Sequence, residues 1–414
     1  MTQKAGTPSD GGAARLLIGI PLGTLLALAI ASMIGWLILG LPVAAYDPIK
    51  MPAFVWYYRG DPQVVRAMAG GLAGGVTLLA GLIYALWARG APLHGAARFA
   101  NEQEIKRHGF RAAVGIVLGR KRGRFLTFGG SEHVIVEAPT RSGKGTGIVI
   151  PNLLTWQGSV VVLDVKRENY DASAGFRAHY GQQVFLFNPT DREGRTARYN
   201  PLAYIDRTDP DDVIIELQKI ATMLFVAPEH GEAFWANGAR TGFAGVGAWL
   251  AETSDDPLTM GAIYRHLTDG DARSYFKKEL ANPRLNLSTG CRTALSDFAG
   301  GSDNSFADIK KTITNVLGLW LNPLVDAATA TSDFDLRQLR SRPMSIYLGV
   351  SPDELDRIAP LYNLLFQQLI DLNVRALPDE NSAVPVLVIL DEFARLGRAS
   401  VIASAFSYVA GYGI

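Results

Sequence analysis

A glycine-rich segment that carries one lysine has the residue types needed to bind a polyphosphate. Residues 134–147 read VIVEAPTRSGKGTG, so an apolar run enters a turn with Lys144 at its apex. Successive backbone N–H groups of such a turn point inward, and the following helix presents its positive end to the anion. The lysine ammonium reaches the β- and γ-phosphate oxygens as a point charge. The predicted nucleotide-binding residues are Thr140, Arg141, Ser142, Gly143, Lys144, Gly145 and Thr146.

The match to the phosphate-loop pattern GxxxxGK[ST] is incomplete. Ala138 replaces the first glycine, and Gly145 occupies the position at which Ser or Thr usually supplies a hydroxyl to Mg²⁺. Thr146 is the nearest hydroxyl, about 100° further round the helix. On this segment alone, a structural Gly-rich turn between a strand and a helix is the alternative.

Two adjacent carboxylates follow an apolar run towards the C-terminal end. VPVLVIL (residues 384–390) leads into Asp391 and Glu392. A strand that ends in this pair suits a phosphate-loop NTPase, because the first acid holds Mg²⁺, usually through water, and the second orients and deprotonates the attacking water. The sequence therefore predicts Glu392 and Lys144 as catalytic residues, Asp391 and Thr146 as Mg²⁺ ligands, and ATP as the nucleotide.

Asp164 is a rival metal ligand, since SVVVLDV (residues 159–165) also places an acid after an apolar run. Val165 and Lys166 follow it in place of a glutamate, so a base is missing at the next position. Asp391 with Glu392 is therefore the favoured pair. A surface acid without function at a strand end is the alternative for either site.

Short apolar runs separated by helical stretches must position these motifs. Such alternation is typical of a parallel α/β sheet with helices on both faces. From about residue 211 to 320 the apolar period becomes helical, which predicts an all-helical domain inserted between strands of the sheet. A hairpin that turns at Gly129-Gly130 is predicted to enter the phosphate loop. The predicted strands are 125–128, 133–137, 159–165, 183–187, 344–350 and 384–390, and the predicted helices include 148–154, 213–225 and 361–374.

The formal net charge of +1 is unevenly distributed along the 414 residues. Nine Lys or Arg against two Glu give residues 89–124 a charge of +7, and the chain from Phe125 onward carries −8. This pattern favours a membrane topology over a broad nucleic-acid surface. Any DNA contact is predicted to be local, at Lys277-Lys278 or Lys310-Lys311 or in a lumen created by oligomerisation, with solvated helix faces as the alternative for these lysines. The single cysteine, Cys291, excludes an internal disulfide framework.

Two uncharged stretches predict membrane helices. The apolar residues 16–41 would extend ~39 Å as a helix, which exceeds the ~30 Å hydrocarbon core. Residues 67–88 are uncharged but rich in glycine, and they are expected to insert as a hairpin with the first stretch. Small residues recur every three or four positions in both, among them Gly35, Gly70 and Gly74, and are predicted to pack helices together. A cleaved signal peptide is the alternative for the first stretch.

Several segments together resemble the TraG-like family of type IV coupling proteins of conjugation and type IV secretion. The resemblance runs from the first predicted membrane span to Ile414. The segments are LHGAARFA (93–100), APTRSGKGTGIVIPNLL (138–154), SVVVLDVK (159–166), YNPL (199–202), FWANGARTGFAG (234–245) and LDEFARLG (390–397).

This resemblance implies an inner-membrane ATPase, and the nine basic residues after the second predicted span indicate that both termini lie in the cytoplasm. It implies ATP and Mg²⁺ as cofactors, assembly as a hexamer, and partners that comprise a relaxase–DNA complex or a secreted protein, single-stranded DNA and the secretion channel. Family members often carry GKG, so Gly145 is no departure. The charge and hydropathy patterns predict a cytoplasmic tail (1–15), membrane helices (16–43 and 67–88), a periplasmic loop (44–66) and a basic linker (89–124). The resemblance implies that the rest forms a RecA-like NTPase domain (125–205 and 331–414) with an inserted all-helical domain (206–330).

The sequence ends at VAGYGI, where the family continues into further strands. The expectation is an incomplete sheet in which residues 344–350 and 384–390 lie near an open edge, in a fragment or a truncated product. Other hypotheses are an FtsK/HerA-like DNA pump and a nucleotide-binding docking scaffold without turnover. An ABC-type ATPase is disfavoured, because 295–302 (LSDFAGGS) imitates its signature poorly.

Overall fold

The computed structural model of the chain describes residues 11–87, 98–139, 141–227, 233–379, 383–397 and 400–414. The chain forms two compact units, Met1–Phe99 and Ala100–Ile414. The predicted site residue Thr140, part of the predicted tail and the first part of the predicted basic linker lie outside the described residues.

The first unit is helical. It contains α1 (Gly11–Ile38), α2 (Met51–Tyr57) and α3 (Pro62–Trp87). Among the described residues, one helical stretch, Pro62–Gly81, is long and apolar enough to cross a membrane by length and composition, and the apolar stretch Leu25–Ile38 is shorter. One candidate span therefore stands where two were predicted.

Helices α1 and α3 approach closely where both carry small residues. A Cβ atom added at Gly71 would lie 2.6 Å from the backbone nitrogen of Gly35, and one added at Gly75 would lie 2.9 Å from Cβ of Ala31. Both distances are too short for a real side chain, so glycine is required for this approach. The predicted stripe through Gly74 borders this contact instead of forming its centre, because a Cβ there would meet only the side chain of Ile34, at 3.4 Å.

The second unit contains a four-stranded parallel sheet and a separate antiparallel hairpin. The sheet order is β4-β5-β3-β6, and β1 pairs with β2. Strands β3 and β5 are buried along their whole length, which explains their continuous apolar sequences. The strands are β1 (Ile116–Lys121), β2 (Arg124–Phe128), β3 (Ser159–Val165), β4 (Gln183–Phe187), β5 (Met344–Val350) and β6 (Val386–Leu390).

Within the described residues, seven α-helices lie between β4 and β5 in the chain, where the sequence predicted an all-helical insertion. They share one apolar core with the sheet, which includes Leu163, Phe243 and Ile346. The predicted limits of a separate all-helical domain, 206–330, stay a prediction. The helices of this unit are α4 (Glu102–Arg107), α5 (Ile150–Thr155), α6 (Glu168–His179), α7 (Pro210–Leu224), α8 (Phe234–Thr253), α9 (Met260–Thr268), α10 (Ala272–Ala281), α11 (Thr289–Gly300), α12 (Asp303–Val316), α13 (Pro323–Ala328), α14 (Leu355–Asn373) and α15 (Ser400–Ala405).

The prediction of a hairpin at Gly129-Gly130, directly before the phosphate loop, is wrong. Strand β2 pairs with β1 through a two-residue turn, in which Arg122 and Gly123 have φ of 50° and 80°. Positive φ at both central residues suits the turn type that matches the twist of a hairpin, so the turn lies here and not at Gly129-Gly130. Residues 133–137 form no strand, and Ile135 is 87% exposed.

Two further expectations are corrected. Strand β5 lies inside the sheet between β3 and β4, so only β6 of the two named strands is at an edge of the described sheet. The predicted basic linker is folded from Ala100 onward, because it contains α4 and the β1–β2 hairpin. Asn101 and Glu104 close a capping box at the start of α4, which fixes this segment locally.

Candidate functional site

The carboxyl ends of β3 and β6 lie side by side. Leu163 of β3 is paired in register with Leu390 of β6. The next residues therefore lie near the carboxyl ends of neighbouring strands: Asp164 is the penultimate residue of β3, and Asp391 directly follows β6. Open α/β sheets bind ligands at the carboxyl ends of their strands.

The glycine-rich loop turns through residues in the left-handed region. Arg141 and Gly143 have φ of 60° and 86°, in the left-handed region. A π-helical turn over Gly145–Val149 follows, with the half-buried Lys144 immediately before it, and continues into α5. Wide turns of this kind often lie at functional sites.

Thr146 faces its own loop. Its Oγ1 donates to the carbonyl oxygen of Gly143 at 3.4 Å, and the residue is exposed. The hydroxyl is thus held weakly, close to the lysine. Its role as a Mg²⁺ ligand stays a prediction.

The loop lysine and the acidic pair are brought together. The pKa of Asp391 is raised, first by burial and then by the charge of Glu392, while the backbone N–H of Glu392 and the ammonium of Lys144 act in the opposite direction. That N–H donates to Asp391 Oδ1 at 3.1 Å. Residues 144 and 391–392, far apart in sequence, therefore form one electrostatic cluster.

Glu392 adopts an uncommon backbone conformation. Its φ and ψ are 56° and 37°, in the left-handed region, and it is exposed. A residue other than glycine pays about 1–2 kcal/mol for this conformation, and such strain occurs often at functional sites. The turn directs the chain away from β6 directly after Asp391.

Asp164 has a structural task. The residue is fully buried, and its two carboxylate oxygens accept the backbone N–H groups of Asn169 at 3.1 Å and Tyr170 at 2.7 Å. Burial raises its pKa despite these hydrogen bonds. Because both oxygens cap α6, Asp391 is better placed than Asp164 to serve a metal ion.

Glu168 is a third acid near the cluster, and sequence reasoning missed it. It is the first residue of α6, and its negative charge contributes to the raised pKa of Asp391. Lys166 and Arg167, at φ of 84° and 64°, make the turn that brings α6 back over the end of β3. A glutamate at a helix start is usually explained by the helix dipole alone. The one further signal in the sequence was that Glu168 follows Asp164 by four residues.

The acids suit Mg²⁺ bound in part by a nucleotide. Among the described residues there is no group of three or more His, Cys, Asp or Glu that could enclose a metal ion. Mg²⁺ usually keeps several waters and binds through one or two carboxylates and the phosphates of a substrate. A single carboxylate such as that of Asp391 would suit this kind of partial coordination.

Comparisons with known proteins bear on residues 98–414, which match the family model described as type IV secretory system conjugative DNA transfer. The chain is 37% identical to the protein VirD4 of Rhizobium radiobacter over 333 residues, which are 77% of this chain and 47% of VirD4. It is 28% identical to the conjugal transfer protein TraG of Escherichia coli over 367 residues, 78% of this chain and 56% of TraG. The chain thus spans about half the length of the curated relatives it matches.

Solved structures of the plasmid coupling protein TrwB share the fold. The complex of TrwB with the non-hydrolysable ATP analogue ADPNP superposes with a TM-score of 0.57 at 17% identity, covering 78% of this chain and 72% of TrwB. Its complex with ADP and Mg²⁺ gives 0.55 at 17% identity, covering 77% and 70%. At this identity the similarity concerns the α/β fold alone, and it agrees with the predicted fold class.

Proposed function

The chain belongs to the type IV secretory system conjugative DNA transfer family, as its motifs predicted, and from this membership we propose that it is an ATP-hydrolysing coupling protein. It recruits relaxase-bound DNA or protein substrates at the bacterial inner membrane and delivers them to the secretion channel. The observation that carries the proposal is the cluster formed by Lys144, Asp391 and Glu392 at the carboxyl edge of the sheet.

Each residue of the cluster has a defined task in this proposal. The N–H groups of residues 141–146 and the ammonium of Lys144 bind the phosphates of ATP. Asp391 holds Mg²⁺, directly or through water. The TrwB structures with ADPNP and with ADP and Mg²⁺ support ATP and Mg²⁺ as the bound molecules. When bound, the ion neutralises charge that develops on the phosphates. Thr146 and the neighbouring loop residues Thr140, Arg141, Ser142, Gly143 and Gly145 complete the phosphate site.

Glu392 orients the attacking water and accepts its proton. Its position directly after Asp391 supports this role, because a metal ion held by Asp391 would bring the phosphates close to it. The left-handed turn at Glu392 ends the extended backbone of the strand directly before this residue. Lys144 supports the reaction by stabilising the charge on the transferred phosphoryl group.

The membrane anchor in this proposal is the α1–α3 hairpin. The candidate span Pro62–Gly81 supports one crossing, and the close packing of α1 on α3 supports a second. With both termini in the cytoplasm, the nucleotide site has access to ATP. Assembly as a hexamer would form a lumen for local contacts with single-stranded DNA.

The test is ATP turnover by the detergent-purified 414-residue chain, with and without single-stranded DNA, beside Glu392→Gln. The wild type is expected to release phosphate, and the variant is expected to retain bound ATP without turnover. Nucleotide binding with no turnover by the wild type would instead support the docking scaffold. No nucleotide binding by either protein would refute both.

A further inference from the structure

The first folded segment of the second unit is strongly basic. Residues 98–124 contain eight Lys or Arg and two Glu, a net charge of +6. Much of this charge lies on the structure that we call the basic hairpin, defined as β1, β2 and their turn at Arg122-Gly123. Its cationic residues are Arg120, Lys121, Arg122 and Arg124.

The two acids of this segment are already occupied. Glu102 forms an ion pair with Arg111 at 2.9 Å, and Glu104 closes the capping box of α4. Arg124 approaches Glu102 only to 3.9 Å. The charge of the hairpin tip is therefore largely uncompensated.

Several other arginines of this unit are paired with carboxylates. Typical pairs are Arg198 with Asp333 and Arg265 with Asp326, both at 2.6 Å. Arg120, Lys121 and Arg122 of the basic hairpin form no ion pair within the part of the chain that the structure describes. An excess of this kind fits an anionic partner.

The hairpin also exposes an aromatic ring next to its cations. Arg120 and Phe125 are cross-strand neighbours, so their side chains lie on the same face. Phe125 is 51% exposed. A ring beside cations suits the boundary between lipid head groups and acyl chains, where apolar and charged groups are both accommodated.

The basic segment follows the candidate membrane span closely in sequence. The candidate span lies within α3, which ends at Trp87, and the basic segment begins at Arg98. The ten intervening residues extend at most about 35 Å. Such a tether keeps the local concentration of the membrane surface high for the hairpin, and an anionic surface attracts cations within about a Debye length.

We propose that the basic hairpin binds anionic phospholipid head groups on the membrane surface next to the α3 span. The proposal is separate from ATP hydrolysis and does not require it. Nucleic acid would be attracted by the same charges, but the short tether to α3 and the exposed Phe125 favour a lipid surface. Docking of the hairpin would fix the basic segment at the membrane.

Hydrogen–deuterium exchange of the full chain tests this in nanodiscs of phosphatidylcholine alone or mixed with phosphatidylglycerol. Amides of residues 116–128 are expected to exchange roughly tenfold more slowly in the anionic discs, an effect that high salt should remove. Arg120→Gln with Arg122→Gln should abolish this difference. Lys277→Gln with Lys278→Gln, an equal charge change on exposed residues of α10, should preserve it.

Unchanged exchange of the fully buried β3 in the variants shows that they remain folded. Equal exchange of the hairpin in both kinds of disc would overturn the proposal. So would protection by single-stranded DNA in phosphatidylcholine discs that matches the protection by anionic lipid, because the hairpin would then be a nucleic-acid site.

Discussion

Asp391 and Lys144 interact electrostatically across the carboxyl edge of the sheet. Burial of the Asp391 carboxyl, followed by the charge of Glu392, raises its pKa, and the Lys144 ammonium acts against that rise. The two residues come from the end of β6 and from the turn before α5, so the fold itself assembles the cluster. A bound Mg²⁺ would interact favourably with the Asp391 carboxylate, and a nucleotide phosphate with the Lys144 ammonium.

Replacing Lys144 by alanine should weaken nucleotide binding. A charge-assisted contact contributes about 1.5–3 kcal/mol, so the dissociation constant should rise about 10- to 150-fold. Titration with a fluorescent ATP analogue measures this change. Lys311→Ala is the matched control, because Lys311 is exposed on α12. Equal affinities of Lys144→Ala and the wild type would show that the phosphate loop lies elsewhere.

Replacing Glu168 by glutamine should raise the Mg²⁺ concentration needed for nucleotide binding. Its negative charge lies close enough to affect Asp391, and the loss of one charge near a hydrated cation costs ~1 kcal/mol, or about fivefold. Magnesium titrations at fixed nucleotide measure the effect. Asp171→Asn, in the same first turn of α6, controls for the helix dipole. A similar rise in the required Mg²⁺ concentration for both variants would show that Glu168 acts only through the helix dipole.

The strands that could be predicted are those whose environment leaves a simple sequence pattern. Strands β3, β4 and β5 match the predicted runs residue for residue, and β6 begins two residues later than expected. The order β4-β5-β3-β6 depends on contacts between residues far apart in sequence, which a local pattern does not contain. The apolar run at 133–137 misled because a strand needs a paired neighbour as well as a suitable sequence.

The sequence indicated only part of the candidate site. Lys144, Asp391 and Glu392 stand in motifs whose chemistry is visible from adjacent residues. Glu168 joins them only because Asp164 caps α6 and the turn at 166–167 brings the helix start back over the sheet. That approach depends on two left-handed residues that are not glycine, for which the sequence gives no signal.

Asp391→Asn should make the ligand-free protein more stable at neutral pH. The pKa of Asp391 is raised above its ordinary 3.8 in the folded state, chiefly by burial. Its contribution to stability is therefore fully present below pH 3.8 and is lost as the pH rises through the folded pKa. Urea unfolding at several pH values should show a difference between variant and wild type that is absent at low pH and grows towards neutrality.

The same substitution should abolish Mg²⁺-dependent nucleotide binding. Asp371→Asn is the matched control, since burial also raises the pKa of Asp371, on α14. It should share the gain in stability and keep nucleotide binding. A loss of stability in Asp391→Asn at every pH would contradict the inferred environment of this carboxyl.

Gly71→Leu should separate α1 from α3. Any Cβ at position 71 lies too close to the backbone of Gly35, and inserting a larger side chain into a packed interface costs typically 1–3 kcal/mol. Cysteines at Ile34 and Gly74 report the contact, because a Cβ at residue 74 lies 3.5 Å from Cγ2 of Ile34, and the native Cys291 is buried. Oxidative cross-linking of this pair should succeed in the parent hairpin and fail with Gly71→Leu. Cross-linking should persist with Gly81→Leu, since a Cβ at Gly81 meets no described atom within 4 Å. Equal cross-linking in both variants would show that the close approach at Gly71 does not hold the hairpin together.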